Sequence, residues 1–239
     1  MSTAADLSIV IPVYNEGHKF TFLLEKIRRE IGSDPEILVC YDFDEDDTLP
    51  HVRGFLKNLQ GLRLIKNRYR PGPAGAIRSG FEAAARSAVL VLMGDLSDDL
   101  ASVRPMLTLF DEGCQVAAAS RYMPGGRQVG GPWLKKMLSR LAGVSLHYVT
   151  GLATHDATNN FKLYGRDFLK RIEIESEGGF EIALELTVKA FRAGLKIGEV
   201  PTTWTDRSNG TSRFRLWNWL PKYLRWYAFA LFCSGKQIF

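Results

Sequence analysis

The sequence predicts an α/β fold with a mainly parallel, doubly wound sheet, and three observations support this prediction. From residue 7, short apolar runs rich in β-branched residues alternate with longer segments of helical periodicity. The segments that follow these runs are polar or rich in glycine, which is typical of the ligand-binding edge of a parallel sheet. The chain has 239 residues, 46% of them hydrophobic, so it can bury the core that such a sheet needs.

The elements alternate regularly in the first half of the chain and less regularly in the second. In the first half we expect strands near residues 7–12, 36–41, 62–66, 88–93 and 114–119, and helices near 18–31, 47–60, 74–86 and 98–111. In the second half we expect helices near 132–150 and 179–193 and strands near 160–164 and 196–200. The sequence therefore predicts one domain over residues 1–213 and a basic, aromatic C-terminal segment over residues 214–239.

The charge and cysteine content narrow the class of protein. The formal net charge of +5 suits an anionic ligand or a membrane surface. Cys40, Cys114 and Cys233 are far apart, which disfavours a disulfide framework or a zinc site and favours a reducing cytoplasm. We expect neither a signal peptide at the N-terminus nor a transmembrane segment, because every apolar run is too short.

Acidic residues cluster after two of the predicted strands, at residues 42–47 and 95–99. Asp98 and Asp99 have a structural explanation, because they lie at a predicted helix start behind a possible Ser97 cap. Asp95 directly follows an apolar strand, where a carboxylate is costly unless it binds a cation or hydrogen-bond donors. We therefore predict that Asp95 binds a divalent cation, which it shares with a substrate diphosphate.

A glycine-rich stretch at residues 70–78 precedes a predicted helix, and two readings of it are equally good. Its glycines serve a turn, or they let a phosphate or nucleotide approach the backbone. It lacks the spacing of a dinucleotide-binding loop or of a P-loop, so both of those sites are excluded. His155 lies in a polar segment, but a packing role is favoured over metal binding.

The C-terminal segment mixes arginine and lysine with aromatic residues. Such a mixture is typical of single-stranded nucleic-acid binding, but the helical spacing favours an interfacial amphipathic helix, with Pro221 in its first turn. The predicted apolar face consists of Trp217, Leu220, Leu224, Tyr227 and Leu231. A helix that simply packs on its own domain remains an alternative.

Seven segments, in their order and spacing, resemble the family 2 glycosyltransferases, and within them the branch similar to dolichyl- and polyprenyl-phosphate mannose synthases. The resemblance covers roughly residues 6–215. The matching segments are residues 9–16, 41–48, 75–80, 94–97, 120–122, 156–161 and 197–201 followed by 206–207.

The resemblance implies a GT-A fold, a nucleotide-diphosphate sugar donor, Mg²⁺ or Mn²⁺, and inversion at the anomeric carbon. It implies roles by position for three groups of residues. The donor is held by Pro12, Tyr14, Glu16, Asp42, Gly75, Arg78, Arg207 and Arg213, the metal by Asp95, and the acceptor phosphate by Arg121, Lys135 and Ser139. Asp95, Arg121 and Asp156 are the predicted catalytic residues.

The chain departs from the family pattern at three places. The Asp-x-Asp motif reads Met93-Gly94-Asp95, so one metal-binding carboxylate is missing and Asp98 or Asp99 is a candidate to replace it. Tyr41-Asp42-Phe43-Asp44 stands where the family has Asp-Asp-Gly-Ser, and Asn160 stands where it has glycine.

The predicted function is transfer of a hexose of the mannose or glucose type to a polyprenyl phosphate at the cytoplasmic face of a membrane, with peripheral contact through the C-terminal segment and no nucleic-acid partner. A phosphate dianion needs no strong general base. The first alternative is a saccharide hydroxyl acceptor in surface polysaccharide assembly, for which Asp156 or Glu181 is the candidate base. The others are a sugar-1-phosphate nucleotidyltransferase, disfavoured because no glycine-rich loop follows the first strand, and an inactive membrane- or nucleic-acid-binding module.

Overall fold

The computed structural model describes residues 2–32, 34–57, 59–177, 179–206 and 216–232; the side chains of Lys135 and of residues 216–219 also lie outside the described part. The first half of the chain alternates strands and helices as predicted. The elements are β1 (Leu7–Pro12), α1 (Lys19–Glu30), β2 (Glu36–Tyr41), α2 (Thr48–Phe55), β3 (Leu62–Lys66), α3 (Pro73–Ala83), β4 (Ala88–Val91), α4 (Val103–Asp111) and β5 (Val116–Ser120).

The second half contains shorter elements around two longer helices. They are β6 (Arg127–Val129), α5 (Trp133–Thr150), β7 (Lys162–Gly165), α6 (Arg166–Arg171), α7 (Ile182–Arg192), β8 (Ile197–Pro201), β9 (Thr203–Thr205) and α8 (Leu216–Phe232). β6, β9 and α6 were not predicted from the sequence. These elements have only three to six residues, too few to show a clear hydrophobic period.

Seven strands form one sheet in the order β3-β2-β1-β4-β7-β5-β8. All neighbouring strands are parallel except at β7, which runs antiparallel to both β4 and β5. β6 and β9 form a separate parallel pair beside the sheet. The predicted α/β class and mainly parallel sheet are confirmed.

The central strands of the sheet are buried on both faces, and this explains why they are mostly apolar. Successive strand residues point to opposite faces, so Val10 joins one core cluster while Ile9 and Ile11 join the other. The first cluster includes side chains from α3, α7 and α8, and the second includes side chains from α1 and α4. Cys40 and Cys114 are buried free thiols.

Two predicted helices differ from the structure at their ends. α2 stops at Phe55 rather than near residue 60, where the amide of Leu56 donates to the carbonyl of Arg53 in a tighter turn. The helix predicted from residue 98 begins as a 3₁₀ turn at Leu100–Ser102, and α4 proper starts at Val103. Asp99, not Ser97, caps that turn, because its Oδ1 accepts from the amide of Ala101.

α8 packs on the body of the protein, in agreement with the alternative considered for the C-terminal segment. Trp226 and Ala230 are buried in the first core cluster and Tyr227 packs against it, whereas Leu224 of the predicted apolar face is exposed. Pro221 lies inside the helix, five residues after Leu216, and not in the first turn as predicted. Within the described residues, no helix is long and apolar enough to span a bilayer.

Candidate active site

The loops after β1 and β2 are tied together by acidic side chains from residues 42–47. Asp46 is buried and accepts hydrogen bonds from the amides of Asn15 (3.1 Å) and Thr48 (2.9 Å). Asp47 accepts from the amide of Gly17 at 2.8 Å. These two carboxylates therefore fix the loop that follows β1, which places Tyr14 and Glu16.

The predicted base- and ribose-binding residues line the ends of β1 and β2. Pro12 is buried at the end of β1, whereas Tyr14 is half exposed and packs edge-on against Phe43 at 5.5 Å. The amide of Glu16 donates to Thr48 Oγ1 at 3.0 Å. Tyr14 thus presents a fixed aromatic ring at the ligand-binding edge of the sheet.

Asp42 holds the glycine-rich stretch in place. Its two carboxylate oxygens accept from Asn67 Nδ2 at 2.7 Å and from the amide of Gly72 at 2.9 Å. Gly72 has φ = 131°, a conformation that favours glycine. A Cβ at Gly75 would collide with the carbonyl oxygen of Arg70. The glycines at residues 72 and 75 are therefore explained by the turn and by close packing, which is the turn reading of the sequence.

Arg78 is held on the first turns of α3. Its guanidinium lies 4.0 Å from the ring centre of Tyr69, and Nη1 donates to the carbonyl of Ile174 at 3.2 Å. Together with Tyr69, Arg70, Ser176 and Glu177, these residues line a shallow pocket. Arg70 and Glu177 form an ion pair at 3.5 Å across this pocket.

Asp95 follows β4 on a strained turn. The residue after it, Leu96, has φ = 62°, a left-handed conformation that is uncommon for a residue with a side chain. Asp95 Oδ1 accepts from the amide of Ser97 at 3.0 Å. The carboxylate is exposed, so the expectation that it lies in a costly buried position is wrong: β4 ends at Val91, and the chain has already left the sheet at Asp95.

Asp98 is buried and incompletely satisfied. Its Oδ2 accepts from the amide of Met93 at 3.2 Å, while Oδ1 has no hydrogen-bond partner among the described residues. Burial and then the charge of Asp95 raise the pKa of the Asp98 carboxyl to about 7. The Ser97 hydroxyl is likewise buried without a partner in the described part of the chain.

The donor set at residues 95–98 is compatible with a hard divalent cation. Mg²⁺ in phosphate-transfer sites is usually bound by one or two carboxylates, while water and substrate phosphates complete its coordination. Asp95 and Asp98, whose Oδ1 has no partner among the described residues, are the candidate carboxylates, whereas Asp99 Oδ1 accepts from the amide of Ala101. Among the described residues, no group of three or more His, Cys, Asp or Glu side chains could hold a metal ion.

Arg121 and Asp156 form a buried ion pair on the other side of the site. Arg121 Nε donates to Asp156 Oδ2 at 2.7 Å, and Nη2 donates to Oδ1 at 2.9 Å. Burial raises the pKa of the Asp156 carboxyl, but Arg121 outweighs burial and lowers this pKa below its usual value. Asp156 therefore stays ionised and orients the guanidinium.

Hydroxyl groups surround the guanidinium of Arg121. Arg121 Nη2 donates to Ser139 Oγ at 3.1 Å, and Tyr122 Oη donates to the same oxygen at 3.0 Å. Ser139 and Thr158 hydroxyls are 2.8 Å apart. Nη2 of Arg121 also donates to Thr158 Oγ1 at 3.4 Å. A cation with neighbouring hydroxyls is a suitable binding site for a phosphate.

Lys162 is a buried lysine that was not predicted from the sequence to belong to the site. Its ammonium donates to the carbonyls of Asp156 (3.1 Å), Ala157 (3.2 Å) and Asn159, and it is completely buried. Burial lowers its pKa to about 7, although Asp156 opposes that effect. Lys162 therefore fixes the loop that carries Asp156. A lysine in an otherwise apolar strand is the one sequence signal that points to it.

His155 and Glu181, two further residues considered for the site, are paired with other side chains of the protein. His155 Nδ1 pairs with Glu199 Oε1 at 2.6 Å, and its ring stacks on His147, in agreement with a packing role. Glu181 is buried at the start of α7, where burial raises its pKa and Lys222 lies 3.7 Å away. Arg207 and Arg213 lie outside the described residues, as does the side chain of Lys135.

The two sides of the site are electrostatically coupled. The charge of Arg121 lowers the pKa of Asp98, and the charge of Asp98 raises that of Arg121. The carbonyl of Ser97 also accepts from the amide of Thr205, which connects the Asp95 loop to β9. The structure thus brings Asp95, Asp98, Arg121 and Ser139 to one edge of the sheet.

Comparison with known proteins gives consistent matches. The model of the family "Glycosyl transferase family 2" matches residues 8–173. Polyprenol monophosphomannose synthase of Mycolicibacterium smegmatis is 27% identical over 211 residues, which cover 86% of this chain and 79% of that protein. Undecaprenyl-phosphate mannosyltransferase of Micrococcus luteus is 28% identical over 210 residues, 85% of each chain.

A longer relative and a solved structure extend the comparison. Dolichol-phosphate mannosyltransferase of Pyrococcus furiosus is 24% identical, but the match spans only 59% of that protein against 87% of this chain. Glucosyl-3-phosphoglycerate synthase of Mycobacterium tuberculosis, solved with Mn²⁺, UDP and glucosyl-3-phosphoglycerate, superposes with a TM-score of 0.67 at 18% identity. That match covers 94% of this chain and 78% of the other, and it confirms the predicted GT-A fold.

Proposed function

Because the chain belongs to glycosyl transferase family 2, we propose that it transfers a hexose of the mannose or glucose type from a nucleotide-diphosphate sugar to a polyprenyl phosphate, with inversion and with a divalent cation. The observation that carries the choice of acceptor is the guanidinium of Arg121, fixed by Asp156 and bordered by the hydroxyls of Ser139 and Tyr122. This is a site for a phosphate monoester rather than for a sugar hydroxyl. The names of three relatives, each a polyprenyl- or dolichol-phosphate mannosyltransferase, support it.

The donor is proposed to lie along the ends of β1, β2 and β4. Tyr14 and Asp42 border the place for the base and ribose, and Asp95 with Asp98 would hold Mg²⁺ or Mn²⁺ against the diphosphate. A bound cation stabilises the negative charge that develops on the leaving nucleoside diphosphate. Arg207 and Arg213 remain proposed partners of that diphosphate.

The chemical step requires little proton transfer from the protein. An oxygen of the acceptor phosphate attacks the anomeric carbon from the face opposite the diphosphate, and the carbon–oxygen bond to the diphosphate breaks with its electron pair. A phosphate monoester has a second pKa of about 6, so the attacking dianion is abundant at neutral pH. Arg121 positions that dianion, and Asp156 acts as a positioning residue because both of its oxygens are already engaged.

The first test of this function is thermal stabilisation by GDP, UDP, dTDP and CDP, each with and without Mg²⁺ or Mn²⁺. Specific binding raises stability by about 2.7 kcal/mol at a ligand concentration a hundredfold above Kd. We expect one nucleotide to stabilise the protein in a metal-dependent manner, and Asp95→Asn to abolish the metal dependence. Asp99→Asn is the matched control, because asparagine also caps a helical turn. Equal stabilisation of wild type and Asp95→Asn contradicts the assignment of the metal site.

The second test concerns the acceptor. With the identified donor, we expect polyprenyl phosphate to accept the sugar and to outcompete saccharide acceptors, and the anomeric configuration of the product to be inverted relative to the donor. Arg121→Lys retains charge but loses the paired geometry with Asp156, so it should reduce transfer about a hundredfold. Transfer to a saccharide hydroxyl but not to the lipid phosphate would favour the polysaccharide alternative.

A further inference from the structure

An open cavity lies between the N-terminal end of α7, the helix α8 and the segment at residues 175–177. Its volume of about 310 Å³ falls within the range of small-molecule sites, about 300–1,000 Å³. Besides Ser176, the lining includes three cations and three carboxylates, which are Arg70, Lys222, Arg225, Glu175, Glu177 and Glu181. We call this space the α7 cavity.

Two buried polar atoms at the α7 cavity lack a partner among the described residues. Glu181 is 1% exposed, and its Oε2 has no hydrogen-bond partner in that part of the chain. Ser176 is 7% exposed, and the same is true of its hydroxyl. Buried polar groups of native proteins are normally hydrogen-bonded, so two such atoms in one cavity indicate a polar ligand.

The segment that carries Ser176 is fixed against α7. The carboxylate oxygens of Glu185 accept from the amides of Glu175 and Ser176 at 2.7 and 2.8 Å. Glu185 is fully buried, and its Oε1 also accepts from Lys189 Nζ at 2.8 Å. The wall of the α7 cavity is therefore formed before a ligand arrives, which lowers the entropic cost of binding.

The α7 cavity lies between the two sides of the candidate active site. Arg70 lines it and also lines the pocket that contains Arg78, beside the proposed donor loops. On the other side, burial raises the pKa of Tyr223, the charge of Glu181 adds to this effect and the charge of Arg121 opposes it. A transferred sugar must lie between the donor diphosphate and the acceptor phosphate, because its anomeric carbon bonds first to one and then to the other. The α7 cavity has the position expected for that sugar.

The charges that line the α7 cavity balance one another. Each cation faces one carboxylate: Arg70 faces Glu177 at 3.5 Å, Lys222 faces Glu181 at 3.7 Å, and Arg225 pairs with Glu175. This lining has no excess positive charge for an anionic substituent, and a sugar carboxylate beside Glu181 would add a like charge at a buried position. Sugar hydroxyls both donate and accept hydrogen bonds, so they suit the two atoms without partners.

We propose that the α7 cavity binds the hydroxyl groups of a neutral donor hexose and excludes a hexuronate, with Glu181 Oε2 accepting from one hydroxyl and Ser176 Oγ bonding to another. Glu181 is thereby a specificity-determining residue, and not the general base considered for a saccharide acceptor. The inference deepens the proposed function and rests on it. Buried polar groups of this kind discriminate strongly against a substrate that leaves them unpaired.

The experiment is calorimetric titration of the full chain in the presence of Mn²⁺. Its three probes are the nucleoside diphosphate that stabilises the protein, the corresponding nucleotide hexose and the nucleotide hexuronate. With UDP the sugar nucleotides are UDP-glucose and UDP-glucuronate, and with GDP they are GDP-mannose and GDP-mannuronate. We expect the wild-type protein to bind the hexose at least about tenfold more tightly than the hexuronate.

Two variants test the assignment of the residues. Glu181→Gln keeps the shape of the side chain, and we expect about tenfold weaker binding of the nucleotide hexose and a smaller preference over the hexuronate, because a hydrogen bond to a charged group is lost. Ser176→Ala should weaken binding of the nucleotide hexose about fivefold. Neither variant should change Kd for the free diphosphate, which also verifies that each is folded. The matched control is Glu173→Gln, since Glu173 is an exposed glutamate of the same segment that does not line the α7 cavity.

Three outcomes would overturn the proposal. The first is wild-type affinity for both sugar nucleotides in Glu181→Gln and Ser176→Ala, which would assign the two atoms to water. The second is an equal loss of affinity for the free diphosphate, which would make the α7 cavity part of the nucleotide site. The third is a wild-type protein that binds the hexuronate as tightly as the hexose. Absence of any nucleotide binding would refute the proposed function together with this inference, whereas nucleotide binding with one of the three outcomes refutes this inference alone.

Discussion

Asp98 and Asp156 are both buried carboxylates, yet their surroundings differ. Asp156 accepts two hydrogen bonds from the Arg121 side chain and others from backbone amides, and its pKa is lowered. Asp98 accepts one amide hydrogen bond, its other oxygen has no partner among the described residues, and its pKa is raised. The Asp156 carboxylate is therefore fully hydrogen-bonded without a ligand, whereas the Asp98 carboxyl keeps an oxygen without a partner among the described residues.

This difference indicates what each half contributes to catalysis. Because the Arg121–Asp156 ion pair is already formed, the guanidinium needs little rearrangement during the reaction. The Arg121 side is therefore suited to hold an acceptor in a fixed position. An unsatisfied buried carboxylate is destabilising by itself and becomes favourable when a cation arrives. Binding energy from the metal and donor is therefore expected to complete the Asp95–Asp98 side.

The largest expected effect is loss of stability in Asp156→Asn. The substitution removes the negative charge that neutralises Arg121 and lies beside the ammonium of Lys162, both buried. Breaking a buried pair by removing one partner typically costs about 3–5 kcal/mol. Denaturant titration measures this loss. Asp44→Asn is the control, because its exposed pair with Lys66 should leave the free energy of unfolding unchanged. Wild-type stability of Asp156→Asn would show that the network is not structural.

Asp98→Asn, unlike Asp156→Asn, should impair ligand binding without lowering the stability of the unliganded protein. The amide oxygen still accepts from Met93, and no partner of the second oxygen is lost, so we expect the free energy of unfolding to stay equal or to rise. The metal-dependent stabilisation by nucleotide, about 2.7 kcal/mol at a hundredfold excess over Kd, should be lost. Calorimetry with and without Mn²⁺ checks both parts. A variant that is less stable but still binds the metal–nucleotide complex would refute the comparison.

The buried side chain of Lys162 predicts how the free energy of unfolding depends on pH. Its pKa is about 7 in the folded protein and 10.5 in the unfolded chain, so between these values the unfolded state binds one more proton. Wild-type stability should therefore rise with pH in this window relative to Lys162→Met, by up to about 1.4 kcal/mol per pH unit. Unfolding of both proteins at pH 8 and 9 measures the difference. Parallel pH profiles would mean that Lys162 remains charged and is stabilised by its three carbonyls.

The smallest expected effect is that of Ser139→Ala. Ser139 contributes one hydroxyl beside Arg121, and loss of a hydrogen bond of this kind costs about 1 kcal/mol. We expect KM for the lipid phosphate to rise about fivefold, with kcat nearly unchanged, because the guanidinium stays paired with Asp156. Steady-state kinetics separates the two constants. A fall in kcat with constant KM would place Ser139 at the transition state instead.

The same contrast explains how far the sequence could predict the site. The Asp95 side could be predicted from neighbouring residues in the sequence. Apolar runs indicate the strands, and the acidic residues directly after them indicate the edge of the sheet where the strands end. The Arg121–Asp156 pair joins residues 35 positions apart, and its buried geometry depends on how β5 and β7 are placed. The resemblance indicated Arg121 and Ser139 by position, but only the structure shows what orients them. In α8 the sequence did not indicate that Trp226 and Ala230 are buried in the core, because that burial depends on how α8 packs against distant elements.

The position of β7 has a consequence for synthesis of the chain on the ribosome. β1 to β4 can all pair with one another once residue 91 has emerged from the ribosome. β5 pairs only with β7 and β8, which follow it by more than 40 residues. Nascent chains fold in the order in which segments become available. The β1–β4 half should therefore form while β5 and α5 still lack their partners, and in this interval the core-facing side of α5 around Leu146 is exposed to aggregation or to capture by a chaperone.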